Sequence, residues 1–421
     1  MTMATVSQAS MPPSSIDADK ILLTIPQACA RATTYVRRLH ASETVMVLEA
    51  ARRTLAEPIV ARLAMPPFTQ SAMDGYALTA GEGIPPGSRL DVVDRIAAGS
   101  VGRKLGRGET SRLFTGAPLP GGADAVIMQE HVEREGSAII LRRPIRAGDN
   151  IRHRGEDIEP LEPLLEVGDR LDARHIALLA AQGIERVNVR IRPRVAVIST
   201  GDELRQPGLG LEAAAIYDSN RPMLLALIAQ AGLTAIDGGW VPDDAGRLAA
   251  RMRGLAADAD LVITSGGASV GEEDHALVAL RQAGGQGETL KIALKPGKPA
   301  VVGAIGAAAY LGLPGNPVSS LVSWLILGHA MVSALEGRPS RQRLGCPMTS
   351  RSRFDRRPGR AEFVPARLAD DGGVEILGRG GSARLRPLVQ ADGLAEIAAE
   401  NAGVQPGDTV LFHPFRDGFV V

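Results

Sequence analysis

A chain of 421 residues exceeds what one ordinary hydrophobic core accommodates, so the sequence predicts two to four domains. Apolar residues make up 45% of it, which supports folded cores and excludes a disordered chain. Lysine plus arginine number 47 and aspartate plus glutamate number 47; a formal charge of zero excludes bulk nucleic-acid binding, which needs a net basic face, but leaves room for a local basic pocket.

Residues 1–17 lack a basic start followed by an apolar stretch and read as a mobile tail without a secretory signal. Only Cys29 and Cys346 occur, far apart, so neither a disulfide framework nor a structural zinc site is expected, and a reducing cytoplasm fits. Apolar positions at helical spacing predict a helix over 18–40. From 42 to 157 short β-like pieces rich in glycine and proline predict a small inserted β-rich domain. A helix at 173–182 and a strand near 185–191 follow, and segments 18–41 and 158–192 together read as a linker domain.

Residues 193–335 alternate strand and helix patterns: VAVIST, a helix around 219–231, DLVIT, a helix around 274–283, strands near 300 and 310, then a long final helix. That alternation predicts a doubly wound, mainly parallel sheet whose ligands sit beyond the carboxyl ends of the strands. The apolar run 318–335 approaches the length of a membrane span, but Asn316 as N-cap and Pro317 at the first helical position introduce it as a core or subunit-interface helix. No membrane association is expected. Residues 336–421 have short alternating strands and read as a small β-barrel or sandwich.

Five polar clusters stand out. Asp74 precedes Gly75 in SAMDGYA, where a turn is the plain explanation; Thr115 opens the loop TGAPLPGG; Asp157 ends the charged run RHRGED. In STGDEL, Thr200, Gly201, Asp202 and Glu203 follow a buried strand, and the two carboxylates suit a cation or a positioned water, with helix capping the competing reading. Asp218, Ser219 and Asn220 read as caps for the next helix. In TSGGASVGEED, Ser265, Gly266, Gly267, Ser269 and Gly271 offer amides and hydroxyls to a phosphate, and Asp274 suits Mg²⁺ held against phosphate oxygens. Lys291, Lys295 and Lys298 supply positive charge, and Pro314 and Asn316 of LPGNP fall at the same sheet end. These features predict a phosphate-bearing small-molecule substrate.

SAMDGYA, TGAPLPGGADAVIMQE, RGEDI, STGDEL, TSGGASVGEED, KPGKP and LPGNPVS, in this order, resemble the molybdopterin molybdenumtransferase family, which also includes the C-terminal domain of gephyrin. The resemblance spans residues 18–421. It implies a central molybdopterin-binding α/β domain, an inserted β-rich domain, an elongated linker used for dimerisation and a C-terminal β-barrel-like domain, assembled as a homodimer. It implies adenylylated molybdopterin and molybdate as substrates, Mg²⁺, and release of AMP. The family's functional positions fall on Asp74, Thr115, Asp157, Glu203, Asp274, Lys291 and Lys295, with Glu203 and Asp274 holding the metal, and on either Asp243 or Asp244. A molybdopterin adenylyltransferase and molybdoenzymes are the implied partners. Two rival readings are an adenylyltransferase using ATP and a gephyrin-like scaffold.

Overall fold

The computed structural model describes residues 22–267, 275–339, 345–378 and 381–415. Contacts group the chain into a larger unit (Met1–Glu43, Arg52–Thr54, Asn188–Val421) and a smaller one (Thr44–Ala51, Leu55–Val187).

The centre of the larger unit is a six-stranded sheet in the order Thr234–Val241, Arg194–Thr200, Leu261–Ser265, Ala308–Leu313, Pro299–Ile305, Gln286–Lys291. The first four strands run parallel, and the last two add antiparallel. Leu261–Ser265 and Ala308–Leu313 are buried at every position, as expected of interior strands covered on both faces. The predicted strands near 300 and 310 form a hairpin, since Gly306 and Ala307 alone join them and no crossover fits in that length.

Alternate side chains of each strand feed opposite cores. Val195, Val197, Ile263 and Leu311 pack with Leu224 and Ile228 of the helix Asn220–Gln230 and with Trp324 of the final helix. Ala196, Ile198, Val262 and Tyr310 pack with Leu248 and Met252 of the helix Ala245–Ala256 and with Leu280 of His275–Gln282. Ala245–Ala256 has no counterpart in the sequence reading. Its buried Leu248, Ala249, Met252 and Leu255 keep helical spacing, but arginine, glycine and alanine dilute the stripe.

The first helix is shorter than 18–40. It spans Ile25–Thr33, started by Thr24 in a capping box with Gln27. The hydroxyls of Thr33 and Thr34 donate to Ala30 O (2.9 Å) and Arg31 O (2.7 Å), competing for the last-turn carbonyls and favouring an end there. The final helix runs as Pro317–Ser323, a π-helical segment Trp324–Gly328 and His329–Leu335. It is long and apolar enough to cross a membrane by length and composition, and 72% of it is buried inside the protein, which makes it a core helix. Asn316 occupies the N-cap position and Pro317 the start of the helix, as expected, although the Asn316 side chain makes no capping bond.

The C-terminal sheet orders Leu294–Lys295, Ala361–Leu368, Gly393–Ile397, Thr409–Pro414 and Cys346–Thr349, with Val374–Ile376 paired to the second strand. Its core gathers Phe354, Val364, Ile397 and Phe412. Its first strand comes from the KPGKP loop, which ties the central and C-terminal domains together.

The smaller unit is built on a sheet ordered Ala125–Met128, Gly75–Leu78, Glu109–Leu113, Arg89–Ile96, Ala138–Leu141, Val132–Glu135. Gly75–Leu78 is wholly buried, and a Cβ on Gly75 would lie 2.1 Å from Ile127 O. Only glycine fits beside Asp74.

The helix Asn220–Gln230 is anchored by an ion network in which Arg221 and Asp218 are buried and Asp237 is exposed. The Arg221 guanidinium meets Asp218 at 3.0 Å and Asp237 at 2.6 Å, and Asp218 is 2% exposed. Partial desolvation works against a charged Asp237, but the Gly239 amide and Arg221 more than offset it and hold its carboxyl below the usual range. Arg221→Met strands the Asp218 charge and is expected to cost about 3–5 kcal/mol, read as a fall in the urea midpoint of the larger unit. An unchanged midpoint would refute the network's role.

Candidate active site

Strand register lines up the chemistry. Val241 pairs with Thr200, Ser199 with Ser265, and Ser265 with Leu313; at the same edge Pro299 pairs with Lys291. Crossing the edge, one meets Asp243, then Thr200 to Glu203, then Ser265 to Gly267, then Pro314 to Asn316, and finally Lys298 and Lys291. Adjacent strands are about 4.8 Å apart, so the strands that lead to Asp243 and Lys298 are four spacings, roughly 19 Å, apart. Carboxylates gather at one end, lysines at the other, and glycine and serine lie between them.

At the acidic end Gly201 has φ +150°, and a Cβ there would lie 2.6 Å from Glu203 Oε2, so glycine leaves room for the Glu203 carboxylate. Asp243 N donates to Asp202 Oδ1 at 3.0 Å, and the Thr200 hydroxyl donates to Asp243 Oδ1 at 3.3 Å. The structure separates the two aspartates the sequence left open. Asp244 is the N-cap of Ala245–Ala256, accepting from Arg247 N at 2.7 Å, whereas Asp243 joins Thr200 and Asp202. Among the described residues no group of three or more His, Cys, Asp or Glu is arranged as a ready metal cage. Ser269, Gly271 and Asp274 lie outside the described residues.

In the middle, Gly266 and Gly267 have φ of +101° and +71°, and a Cβ on Gly266 would fall 2.2 Å from Thr200 O. The strand end therefore needs glycine. Asn220 Nδ2 donates to Ser265 Oγ (2.8 Å) and to Gly315 O (2.7 Å), tying the TSGG and LPGN loops together. The sequence read Asn220 as a cap. Instead it sits inside the helix's first turn, Ser219 makes no capping bond, and Asp218 accepts from Arg221 N at 3.2 Å. Pro314 is buried behind these loops, where Gly266 N donates to Leu313 O at 3.2 Å.

At the basic end Lys295 pairs across strands with Glu362. Its Nζ lies 2.9 Å from Glu362 Oε1, and Glu362 is 2% exposed. Arg356 Nε stands 3.4 Å from Glu362 Oε2. Lys295 thus has a fixed position with its head half in solvent. It opens on a cavity of about 330 Å³ lined by Lys298, Arg360, Ser319 and Ser382. Sequence reading missed Glu362, Arg360 and Ser382. The available signal was a lone glutamate leading the otherwise apolar strand run FVPA. Lys291 ends its own strand, half-buried, with its carbonyl accepting from Leu23 N at 2.8 Å.

In the smaller unit Asp74 Oδ1 accepts from Thr115 N (2.8 Å) and Thr115 Oγ1 (2.9 Å). The Thr115 amide, then its hydroxyl, holds the Asp74 carboxyl below its ordinary range, and Arg112 adds to this. Asp74 therefore stays ionised at neutral pH and releases Thr115 only as pH falls through that depressed value. Asp157 is exposed in the turn after Ile151–Arg152, with its amide donating to Met65 O at 3.0 Å, and shares none of the Asp74 contacts.

Family models match most of the chain: the MoeA N-terminal region (domain I and II) over residues 23–183, a probable molybdopterin binding domain over 196–334, and the MoeA C-terminal region (domain IV) over 348–415. The chain is 33% identical to the molybdopterin molybdenumtransferase of Haemophilus influenzae over 402 residues, covering 94% of this chain and 99% of that one. It is 34% identical to molybdopterin molybdenumtransferase 2 of Mycobacterium tuberculosis over 375 residues, 86% of this chain and 93% of that one. The crystal structure of the molybdopterin biosynthesis moeA protein from Pyrococcus horikoshii OT3 superposes with a TM-score of 0.76 at 27% identity, covering 94% of this chain and all of that one. With its three-part match, its fold and its sequence agreeing along nearly the whole length, the chain belongs to the molybdopterin molybdenumtransferase family of transferases.

Proposed function

We propose that this protein inserts molybdate into adenylylated molybdopterin and releases AMP, in a Mg²⁺-dependent reaction carried out by a cytoplasmic homodimer. The supporting observation is the sorting of charge along one sheet edge. Two mutually repellent anions, molybdate and an adenylate phosphate, must be held near each other, and the edge offers each a different environment.

Lys295, Lys298 and Arg360 around one cavity suit a tetrahedral oxyanion, because charge-assisted donors at fixed positions offset its desolvation. Held by Glu362, Lys295 is oriented before the anion arrives. The backbone beyond Ser265, where only glycine fits, suits the phosphate of the adenylate. Water adds to phosphorus as the phosphoanhydride P–O bond breaks, and AMP leaves. Glu203 and, on the strength of its motif, Asp274 are the hard oxygen donors assigned to Mg²⁺, which takes one or two carboxylates plus substrate oxygens. When bound, that ion neutralises charge on the phosphate oxygens. Asp74, Thr115 and Asp157 are assigned to the same reaction on the strength of their motifs, Asp74 as a carboxylate that is ionised at neutral pH.

Three variants test this reading by following AMP release and molybdenum delivery to a molybdoenzyme apoprotein. Asp243→Asn is expected to slow AMP release roughly 100-fold, as loss of one strong electrostatic group does, while Asp244→Ser, which keeps the helix cap, leaves it unchanged. Equal effects of the two would contradict the assignment. Asp74→Asn, whose partner Thr115 stays in place, should nearly abolish turnover with the fold intact by circular dichroism; wild-type rates would remove Asp74 from the reaction. Lys295→Met should raise the molybdate concentration needed for half-maximal delivery about 10- to 100-fold, the effect of one charge-assisted hydrogen bond, with AMP release little altered. An unaltered molybdate requirement would exclude the cavity.

A further inference from the structure

We propose that the cavity beside Trp240 is the subsite for the flat nucleobase of the adenylate, an inference that rests on the adenylate reading above. The edge strand Thr234–Val241 carries a β-bulge. Val197 pairs with Asp237 but Ser199 pairs with Trp240, so Gly238 and Gly239 together face Ile198 alone. Both bulge positions require glycine: a Cβ on Gly238 would lie 2.6 Å from Val197 O, and Gly239 has φ +74°. A bulge at the end of an edge strand re-aims the side chain that follows it. Here that side chain is an indole.

Trp240 Nε1 donates to Gly201 O at 2.8 Å, so the ring is pinned by its one polar atom to the strand end that carries Asp202 and Glu203. It remains 37% exposed, whereas the other tryptophan, Trp324, is 1% exposed in the core. A large ring with its donor already used has only its apolar surface to offer. It forms a wall of a cavity of about 340 Å³, together with Pro242, Leu204 and Leu209. Arg205 also lines it, but its guanidinium is taken by Asp202 O (2.8 Å), Leu204 O (2.9 Å) and Glu212 Oε2 (2.7 Å). Asp202 and Gln206 complete the lining, so the pocket has no uncommitted cation for an anion and suits a flat uncharged heterocycle with polar groups on its edge.

The substrate carries two such rings, pterin and adenine, and position along the edge chooses between them. The metal must meet the dithiolene of the pterin, so the pterin belongs toward Lys295 and Lys298. The nucleotide's base then falls at the opposite end, past the Gly266 loop, where Trp240 stands.

Calorimetric titration with AMP and with ribose 5-phosphate, which has the phosphate without the base, tests the proposal. Wild type is expected to bind AMP the more tightly. Trp240→Ala should lose roughly 5- to 100-fold in AMP affinity, the range of one base stacked on an aromatic ring, and keep its ribose 5-phosphate affinity, which also certifies the fold. Trp240→Phe should retain most of the AMP affinity. Unchanged AMP binding in Trp240→Ala, or an equal loss for both ligands, would overturn the subsite. Wild-type AMP release from adenylylated molybdopterin alongside an unaffected Trp240→Ala would sink the subsite alone; no AMP release from wild type would sink the adenylate reading itself.

Discussion

The register of four parallel strands is the constraint on which the rest depends. Pairing of Val241 with Thr200, Ser199 with Ser265 and Ser265 with Leu313 brings loops from distant parts of the sequence to one line. A one-residue slip in any strand would exchange its two faces, moving Val195, Val197, Ile263 or Leu311 out of one core and into the other. Side-chain burial on both faces therefore fixes the register, and the register fixes which polar groups share the edge. Chemistry at the edge is a by-product of packing in the layers beneath it.

Along that edge the protein addresses an electrostatic difficulty by distance. Under the proposed function, acidic groups for a cation and basic groups for an oxyanion would neutralise one another if adjacent. Four strand spacings keep them apart, while the glycine-rich middle contributes backbone dipoles and little net charge. One deliberate exception is Glu362 against Lys295, where a buried carboxylate trades some positive potential for a lysine with a defined position. Asn220 plays the matching mechanical part between the middle loops, and the Arg221 network holds the turn that carries it.

Much of this was legible in the sequence, for identifiable reasons. Continuous apolar runs such as VAVIST and DLVIT announce interior strands, and the glycines that follow them can be read as strand ends because little else fits there. The long final helix was visible from composition and its Asn-Pro start. Less legible were features set by tertiary contact. The first helix ends early because threonine hydroxyls take its carbonyls, which apolar spacing alone does not reveal. Ala245–Ala256 hides behind exposed arginines. The difference between Asp243 and Asp244 is one of direction, one side chain turned to the helix and its neighbour to the strand end, and two identical letters in a row carry no such information. Glu362 gains its meaning from a cross-strand partner more than sixty residues earlier. The role of Trp240 depends on a bulge whose GG signature is plain but whose consequence is geometric.

The central claim is that one sheet edge handles an adenylate at its acidic end and an oxyanion at its basic end. Its most direct test is a single-turnover reaction of the wild-type protein with adenylylated molybdopterin, Mg²⁺ and molybdate, quantifying AMP and the molybdenum transferred to a molybdoenzyme apoprotein. The account predicts one AMP released for each molybdenum delivered. AMP release with no molybdenum delivered, or pyrophosphate formed instead from ATP and molybdopterin, would contradict it.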